Sequence, residues 1–559
     1  MPAPIVILGA GINGAALARE LVLNGLPVLV IERRDIASGT TAYSSRLIHG
    51  GLRYLEYGEF DLVRESLGER TRWLQLAPHL VRPLELMIPV GNWFGGFWSA
   101  ARTFFRIPKR RAAKHLSRPR GLATVRAGLW LYDRYARDRQ LRASHVLRAG
   151  NPTAIPVDQS RYRWLCSYMD AQVLYPERLT VEMLQDARRL AEQNGVEFRV
   201  LTYHEAALAG SQVAIRSLRT AATGVELIEP AAVINATGAW VDRTLATLKI
   251  SAERLIGGTK GSHFLTHQSN LRKKLNGRAL YLEAADGRPV FILPFASGTL
   301  VGTTDEPFSG DPAQALATEV ELDYLIGAVN AALPDVRLTR ADLALHYCGV
   351  RPLPYTSAGS TAAITRRHAL HEHRDASLPL FSVIGGKLTT CRSLAEESVQ
   401  RVLARLGQSP QRNSRTRPIP GGADYPSTAA ELAAEAAQFA ARHGLTRAQG
   451  AALWSLFGSQ CRQFPPEFAT AANARENLTG TDLPRAMVGW VLREEWAKTL
   501  EDLVERRLML LYHQRLSRTV LYELAEDLIR AECLFPDDRE SAVQDYAIRL
   551  STHFGRNLS

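Results

Sequence analysis

The stretch that most constrains this chain is its beginning, Ile5 to Arg33. A short apolar run, Ile5-Val6-Ile7-Leu8, meets Gly9-Ala10-Gly11-Ile12-Asn13-Gly14, and an amphipathic stretch from Ala15 to Asn24 follows. After Gly25 a second apolar run, Val28-Leu29-Val30-Ile31, ends at Glu32. The order predicts strand, tight turn, helix and strand, a β-α-β unit with a carboxylate at the tip of its second strand. Each part suits a dinucleotide. Gly9 permits the turn, Gly11 lets the backbone approach a pyrophosphate, and Gly14 lets the helix pack closely on the strand. The helix N-terminus offers free N–H groups and partial positive charge to phosphates, and Glu32 can accept hydrogen bonds from a ribose diol. The unit alone does not separate NAD from FAD.

A chain of 559 residues with 46% hydrophobic and 22% charged residues reads as an ordinary globular protein of about two to four domains. Its formal charge of +12 favours anionic partners: a phosphorylated substrate, an acidic lipid surface or nucleic acid. The five cysteines, Cys166, Cys348, Cys391, Cys461 and Cys533, form no CxxC pair or metal-ligand spacing, which predicts reduced thiols in a cytoplasmic compartment, no metal and no disulfide. The first apolar run carries the nucleotide loop with no basic segment before it, so it reads as a core strand rather than a signal peptide. No stretch reaches the roughly 18 uninterrupted apolar residues of a membrane span.

Beyond Glu32, small and hydroxyl residues dominate from Ser38 to Ser45, and then come Arg46-Leu47-Ile48-His49-Gly50-Gly51-Leu52-Arg53-Tyr54. The hydroxyls of Thr40, Thr41, Ser44 and Ser45 can meet phosphate and flavin oxygens, while the glycine pair allows His49, Arg53 and Tyr54 to converge on one spot. Here the sequence resembles the FAD-dependent glycerol-3-phosphate dehydrogenases. The resemblance includes Phe60-Asp61-Leu62-Val63 and Ala77-Pro78-His79-Leu80 and continues, in the family's order, through Lys260-Gly261-Ser262-His263 and Gly302-Thr303-Thr304-Asp305. Gly349-Val350-Arg351-Pro352-Leu353 and Gly385-Gly386-Lys387-Leu388-Thr389-Thr390 complete it, so it covers residues 5 to 400. It implies an α/β fold: a glutathione-reductase-type Rossmann domain for FAD, with an antiparallel-sheet substrate domain of the D-amino-acid-oxidase type. Departures from the family pattern are Ala10 within the glycine turn, Arg46 where lysine is common, Phe295 where tryptophan is common and Cys391 where tyrosine is frequent.

Periodicity predicts a helix over Leu179 to Gln193, a strand over Val196 to Leu201, and a buried strand from Val233 that ends at Ala236-Thr237-Gly238, a turn that lines a nucleotide in two-domain flavoproteins. From about 246 to 345 the pattern changes to short strands with turns at Asp286-Gly287 and Ser297-Gly298. The expected domains are therefore residues 1–88, 151–245 and 346–406 for FAD, with 89–150 and 246–345 for the substrate. A Pro-, Gly-, Ser- and Arg-rich linker is expected over 407–428, and an all-α cap domain over 429–559.

Glycerol 3-phosphate carries a dianion, and arginine offers it paired donors in a planar fork. By resemblance Arg351 and Arg366 form the phosphate clamp, Arg53 and Tyr54 complete the substrate wall, and Gly386, Leu388 and Thr389 meet the flavin at a strand-to-helix turn. The start of that helix, which is expected to run on to about Leu406, would stabilise negative charge on the reduced ring. The reaction implied is hydride transfer from C2 to flavin N5, yielding dihydroxyacetone phosphate. His49 has a pKa suited to general base work, and Lys387 can serve if desolvation lowers its own; the sequence leaves the two unseparated.

The segment from Gly91 to Lys114 interleaves aromatic and basic residues, as an interfacial segment does, and the respiratory members of the resembled family reach quinone from the membrane surface. A peripheral location at the inner face of the cell membrane with quinone as acceptor follows as an expectation. An oxidase using O2 and a related FAD amine or amino-acid oxidoreductase are the alternatives; a nucleic-acid-binding scaffold lacks any recognised module. No motif specifies an oligomeric state, and a homodimer is compatible with the sequence.

Overall fold

The structure, a computed structural model, describes residues 2–94, 120–136, 138, 140–219, 224–284, 286–356, 366–471 and 473–558. The opening unit forms as expected: strand β1 (Ile5–Leu8), helix α1 (Ile12–Leu23) and strand β2 (Val28–Glu32). A side chain at Gly14 would place its Cβ 1.9 Å from the Gly9 carbonyl oxygen, so the helix can lie this close to the strand only with glycine there.

β1 and β2 sit inside a six-stranded sheet in the order Ala369–Glu372, Leu380–Ile384, Ala232–Asn235, β1, β2, Phe198–Thr202. All neighbours run parallel except the first pair. Both faces are covered, which explains why the strands read as unbroken apolar runs. Ile5 and Ile7 face a helical layer with α1 and the helices Pro176–Asn194 and Cys391–Arg405. Val6 and Leu8 face the opposite way, toward Val213 and Ile215 of a small antiparallel sheet and Leu245 of the helix Val241–Thr247.

A second, ten-stranded mixed sheet lies beside the first. Its strands Thr259–Thr266, Ala279–Glu283, Pro289–Phe295 and Gly298–Gly302 fall where the alternating pattern predicts them. Four of its strands lie wholly or mostly in segments expected in the nucleotide domain: Leu47–Ile48, Val81–Val90, Trp164–Val173 and Leu343–Arg351. The domain boundaries at 88, 151 and 346 are corrected accordingly. Long-range pairing decides membership of this sheet: Trp164–Val173 pairs along its whole length with Val81–Val90, and Leu343–Arg351 pairs with Thr259–Thr266.

The expected 407–428 linker is also corrected, because its second half is packed. Ile419, Pro420, Gly421 and Gly422 are buried. Arg417 pairs with Asp186, and the Gly421 N–H donates to Glu182. The C-terminal residues are helical, with capping boxes at Thr428/Glu431 and Thr446/Gln449 starting their first two helices. Their apolar faces share one core with a face of the ten-stranded sheet: Leu265, Leu293 and Phe295 pack with Trp454, Leu503 and Leu524. Among the described residues no helix is long and apolar enough to cross a membrane. Residues 95–114 of the aromatic and basic segment, and residues 363–365 before Arg366, lie outside the described residues.

Candidate active site

A cleft of about 820 Å³ runs between the two sheets, from the glycine turn at the end of β1 to the strand and turn residues of the larger sheet. Most of the expected residues line it: Gly9, Gly11, Glu32, Thr40, Thr41, Ser44, Ser45, His49, Tyr54, Gly238, Arg351, Arg366, Gly386, Lys387, Leu388 and Thr389. Gly14 lies behind the wall, where it sets the helix distance. Arg53, one position before Tyr54 on the helical turn Leu52–Tyr57, is not part of the lining.

The turn end of the cleft fits a dinucleotide. A Cβ at Gly11 would meet, apart from its chain neighbours, only the Thr41 hydroxyl at 3.4 Å, so the glycine opens toward the cleft. That hydroxyl accepts the Ile12 N–H at 3.1 Å, occupying one of the free donors of α1. Glu32 accepts the N–H groups of Ala10 (2.8 Å) and Arg34 (2.9 Å), which fixes the carboxylate at the tip of β2. Burial raises its pKa, and these two N–H donors work against that shift. Asn13, which the sequence reading passed over, lines the cleft with its Oδ1 buried and, among the described residues, unpartnered. A buried acceptor without a donor calls for a ligand N–H or O–H, and FAD carries several.

The loop after β2 is tied down on every side. The Thr40 hydroxyl donates to the Val350 carbonyl at 2.7 Å, and the Ser44 carbonyl accepts the Tyr347 hydroxyl at 2.9 Å. The Ser45 hydroxyl bonds His263 Nε2 at 2.8 Å, and the His263 ring stacks on Tyr347 at 5.0 Å. His263 stood inside a quoted motif without a role; it enters the wall because strand Thr259–Thr266 is central in its sheet. Arg46 also lines the cleft, with its guanidinium held between Phe295 and Tyr512, 4.8 and 4.7 Å from the ring centroids, and paired with the fully buried Glu177 at 2.6 Å. Two departures from the resembled pattern, Arg46 and Phe295, thus touch each other.

One part of the wall is cationic. Arg351 donates to Asp305 Oδ1 (3.0 Å), the Thr303 hydroxyl (2.8 Å) and the Thr304 carbonyl (3.1 Å), which fixes the plane of its fork. Gly261 makes room for it, since a Cβ there would come within 2.2 Å of the guanidinium. Lys387 Nζ sits 4.2 Å over the Tyr54 ring and donates to the Ser66 hydroxyl at 3.0 Å. Burial, reinforced by the charge of Arg366, pulls the Lys387 pKa down to about 7. Burial, then the charges of Lys387 and Arg366, pull His49 down to about 3, so its imidazole is neutral. The expected strand-to-helix turn is present: strand Leu380–Ile384 ends before it, Gly386 to Thr389 form it, and the helix Cys391–Arg405 follows. The Thr389 hydroxyl, which accepts the His49 N–H at 3.1 Å, ties this turn to the His49 loop.

Comparison with known proteins gives a consistent picture. Residues 4–391 match the model of the FAD dependent oxidoreductases. The chain is 36% identical over 529 residues to a glycerol-3-phosphate dehydrogenase of Synechocystis sp., covering 90% of this chain and 88% of that one. It is 30% identical over 517 residues to the aerobic glycerol-3-phosphate dehydrogenase of Escherichia coli, covering 90% and 93%. It is 31% identical over 521 residues to a D-erythritol 1-phosphate dehydrogenase of Brucella abortus, again covering 90% and 93%. Among solved structures, a glycerol-3-phosphate dehydrogenase from Bacillus halodurans complexed with FAD shares the fold, with a TM-score of 0.71 at 21% identity over 98% of this chain and 94% of that one.

Proposed function

Because the chain belongs to the FAD-dependent oxidoreductases and, within them, to the glycerol-3-phosphate dehydrogenase family, we propose that it oxidises sn-glycerol 3-phosphate to dihydroxyacetone phosphate. The observation that carries the reading is the cationic wall, where Arg351, Arg366 and Lys387 face the same cleft as His49 and Tyr54. When bound, FAD supplies the acceptor for the hydride leaving C2. The chain's own residues do the rest. Arg351 and Arg366 hold the phosphate dianion, and Asp305 keeps the Arg351 fork in plane. The aromatic face of Tyr54 closes the wall and holds the Lys387 ammonium by cation–π attraction. The C2 hydroxyl proton must leave with the hydride, and Lys387 Nζ takes it: a lysine at about 7 is partly neutral at physiological pH. His49, neutral throughout that range, orients the substrate oxygen by a hydrogen bond. Backbone N–H groups of the Gly386 to Thr389 turn, which lines the cleft, would be the donors that hold the flavin and favour its reduced, negatively charged form.

Quinone at a membrane surface is the acceptor that best fits the exposed aromatic rings of Trp93, Phe94 and Trp130 together with a net charge of +12. A second reading, with a four-carbon polyol phosphate as substrate, is favoured by the similarity to the D-erythritol 1-phosphate dehydrogenase; the same dianion clamp would serve it.

An anaerobic titration tests both. Glycerol 3-phosphate should bleach the flavin absorption band of the purified protein and yield dihydroxyacetone phosphate. A colourless protein, or one whose colour persists, would overturn the proposal, and faster bleaching by erythritol 1-phosphate would select the second reading. Rates of reoxidation by a soluble quinone and by O2, compared on the same sample, test the acceptor.

A further inference from the structure

His49 is followed by two glycines, and a loop of that composition does not hold a side chain still by itself. We propose that Tyr132 and Asp170 are the positioning residues that fix it. This rests on the functional reading above, since it concerns the placement of His49 in that reaction.

The Gly50 N–H donates to the Tyr132 hydroxyl at 2.9 Å, and Asp170 Oδ1 lies 3.4 Å from the same nitrogen. The Tyr132 hydroxyl donates to Asp170, whose two oxygens are 2.7 and 2.8 Å away. Asp170 in turn accepts from Arg70 Nη1 at 3.2 Å, and that nitrogen also donates to the Met169 carbonyl at 2.8 Å. Tyr132, Asp170 and Arg70 are all buried, with at most 2% of each exposed.

The direction of this chain is determined by its chemistry. Paired with the Arg70 guanidinium, the Asp170 carboxylate accepts, so the phenolic proton of Tyr132 points to it. The oxygen lone pair of Tyr132 is then left for the Gly50 N–H. Burial raises the Asp170 pKa, and the charge of Arg70, the Tyr132 hydroxyl and the Gly50 N–H work against that rise. The other side of His49 is held by Thr389, whose hydroxyl accepts the His49 N–H and lies 3.3 Å from the His49 carbonyl oxygen. The His49 peptide is therefore clamped between the turn that carries Lys387 and a polar chain that the sequence reading did not single out. A buried carboxylate, arginine and tyrosine would be an expensive way to hold an arbitrary loop; apolar residues of similar volume would pack as well.

The test compares Tyr132→Phe with Tyr168→Phe, a control whose ring packs edge-on against Tyr132 at 5.7 Å. Hydrogen–deuterium exchange followed by mass spectrometry should show faster exchange in the peptide spanning residues 47–55 of Tyr132→Phe, by about tenfold, with the rest of the chain and the flavin content unchanged. Anaerobic flavin reduction at saturating glycerol 3-phosphate should slow by about tenfold or more in that variant, with little change in the half-saturating concentration, because misplacement of a reacting group acts on the chemical step. Asp170→Asn, which frees the Tyr132 proton to point elsewhere, should give the same two effects. Tyr168→Phe should give neither. Wild-type exchange at 47–55 or wild-type reduction rates in Tyr132→Phe and Asp170→Asn would overturn the inference while leaving the proposed function standing. A wild-type protein that glycerol 3-phosphate does not reduce would instead overturn the function, and the exchange result would still decide whether the loop is held this way.

Discussion

Lys387 and His49 share one buried pocket of positive charge, and their protonation states tell them apart. Lys387 at about 7 loses its proton in the physiological range, whereas His49 at about 3 lost its own well below it. If Lys387 is the base, kcat/KM for flavin reduction rises with pH through about 7 and levels off above it. Lys387→Met should abolish that limb and slow reduction about a hundredfold or more, the usual size of a general-base contribution. His49→Asn should lower the rate and keep the limb. Loss of the limb in His49→Asn with retention in Lys387→Met would exchange the roles. A substrate dianion on Arg366 cancels part of the positive field that depresses both groups, so the limb in kcat should lie at higher pH than the limb in kcat/KM. The sequence brings both residues into view through their motifs and cannot rank them. The ranking comes from burial and from Arg366, and neither is visible in local sequence. Asn13 and His263 escaped for the same reason: their significance lies in which surface the fold turns toward the cleft.

The elements most legible in the sequence are those whose partners are near in the chain. β1, α1 and β2 follow from a turn, a period and a terminal acid within thirty residues, and the hairpin strands from 279 to 302 follow from their turns. The strands Val81–Val90 and Trp164–Val173 lie mostly in segments expected in the nucleotide domain yet join the larger sheet, because they pair across more than seventy residues of intervening chain and apolar alternation does not name a partner. The packing of the C-terminal helices was illegible too, since it runs through buried charge. Asp35, just past β2, accepts from Arg506 Nε at 2.6 Å and from both terminal nitrogens of Arg507 at 3.0 and 2.8 Å, and all three side chains are at most 1% exposed. Removing the carboxylate takes away the partner that Arg506 and Arg507 share, leaving Arg506 to Asp502 and Glu505 and Arg507 to the Glu495 carbonyl, so Asp35→Ala should destabilise the chain by about 3 kcal/mol. Urea unfolding followed by tryptophan fluorescence would measure it. An unchanged midpoint would mean that Asp35 does not dock the C-terminal helices on the nucleotide sheet.

At the scale of the whole molecule, the charge of +12 and the distribution of exposed rings bear on the end of strand Val81–Val90 in the larger sheet. Phe94 and Trp93, 73% and 49% exposed, follow the end of strand Val81–Val90. The helix Leu122–Ala136 starts beside them, with the Leu122 N–H donating to the Asn92 carbonyl and the Ala123 N–H to the Trp93 carbonyl, and it carries Trp130, 68% exposed. Three large aromatic side chains in water on neighbouring elements are costly for a soluble surface and favourable at the headgroup level of a bilayer, where the ring body and a polar edge are both accommodated. The basic residues between 101 and 114 follow the same strand in sequence and would add attraction to anionic lipid. The protein should therefore co-sediment with acidic phospholipid vesicles at low salt, less so as salt screens the charge. A Trp93→Ala/Phe94→Ala/Trp130→Ala variant should bind about tenfold or more weakly with its flavin content intact, because the apolar area it loses contributes whatever the salt. Its reduction by soluble substrate should be unchanged, while electron transfer to quinone embedded in the vesicles should fall with the binding. If the wild type stays in the supernatant, or the variant pellets as well as the wild type, this aromatic patch faces something other than lipid, and the acceptor must then be one that reaches the flavin from solution.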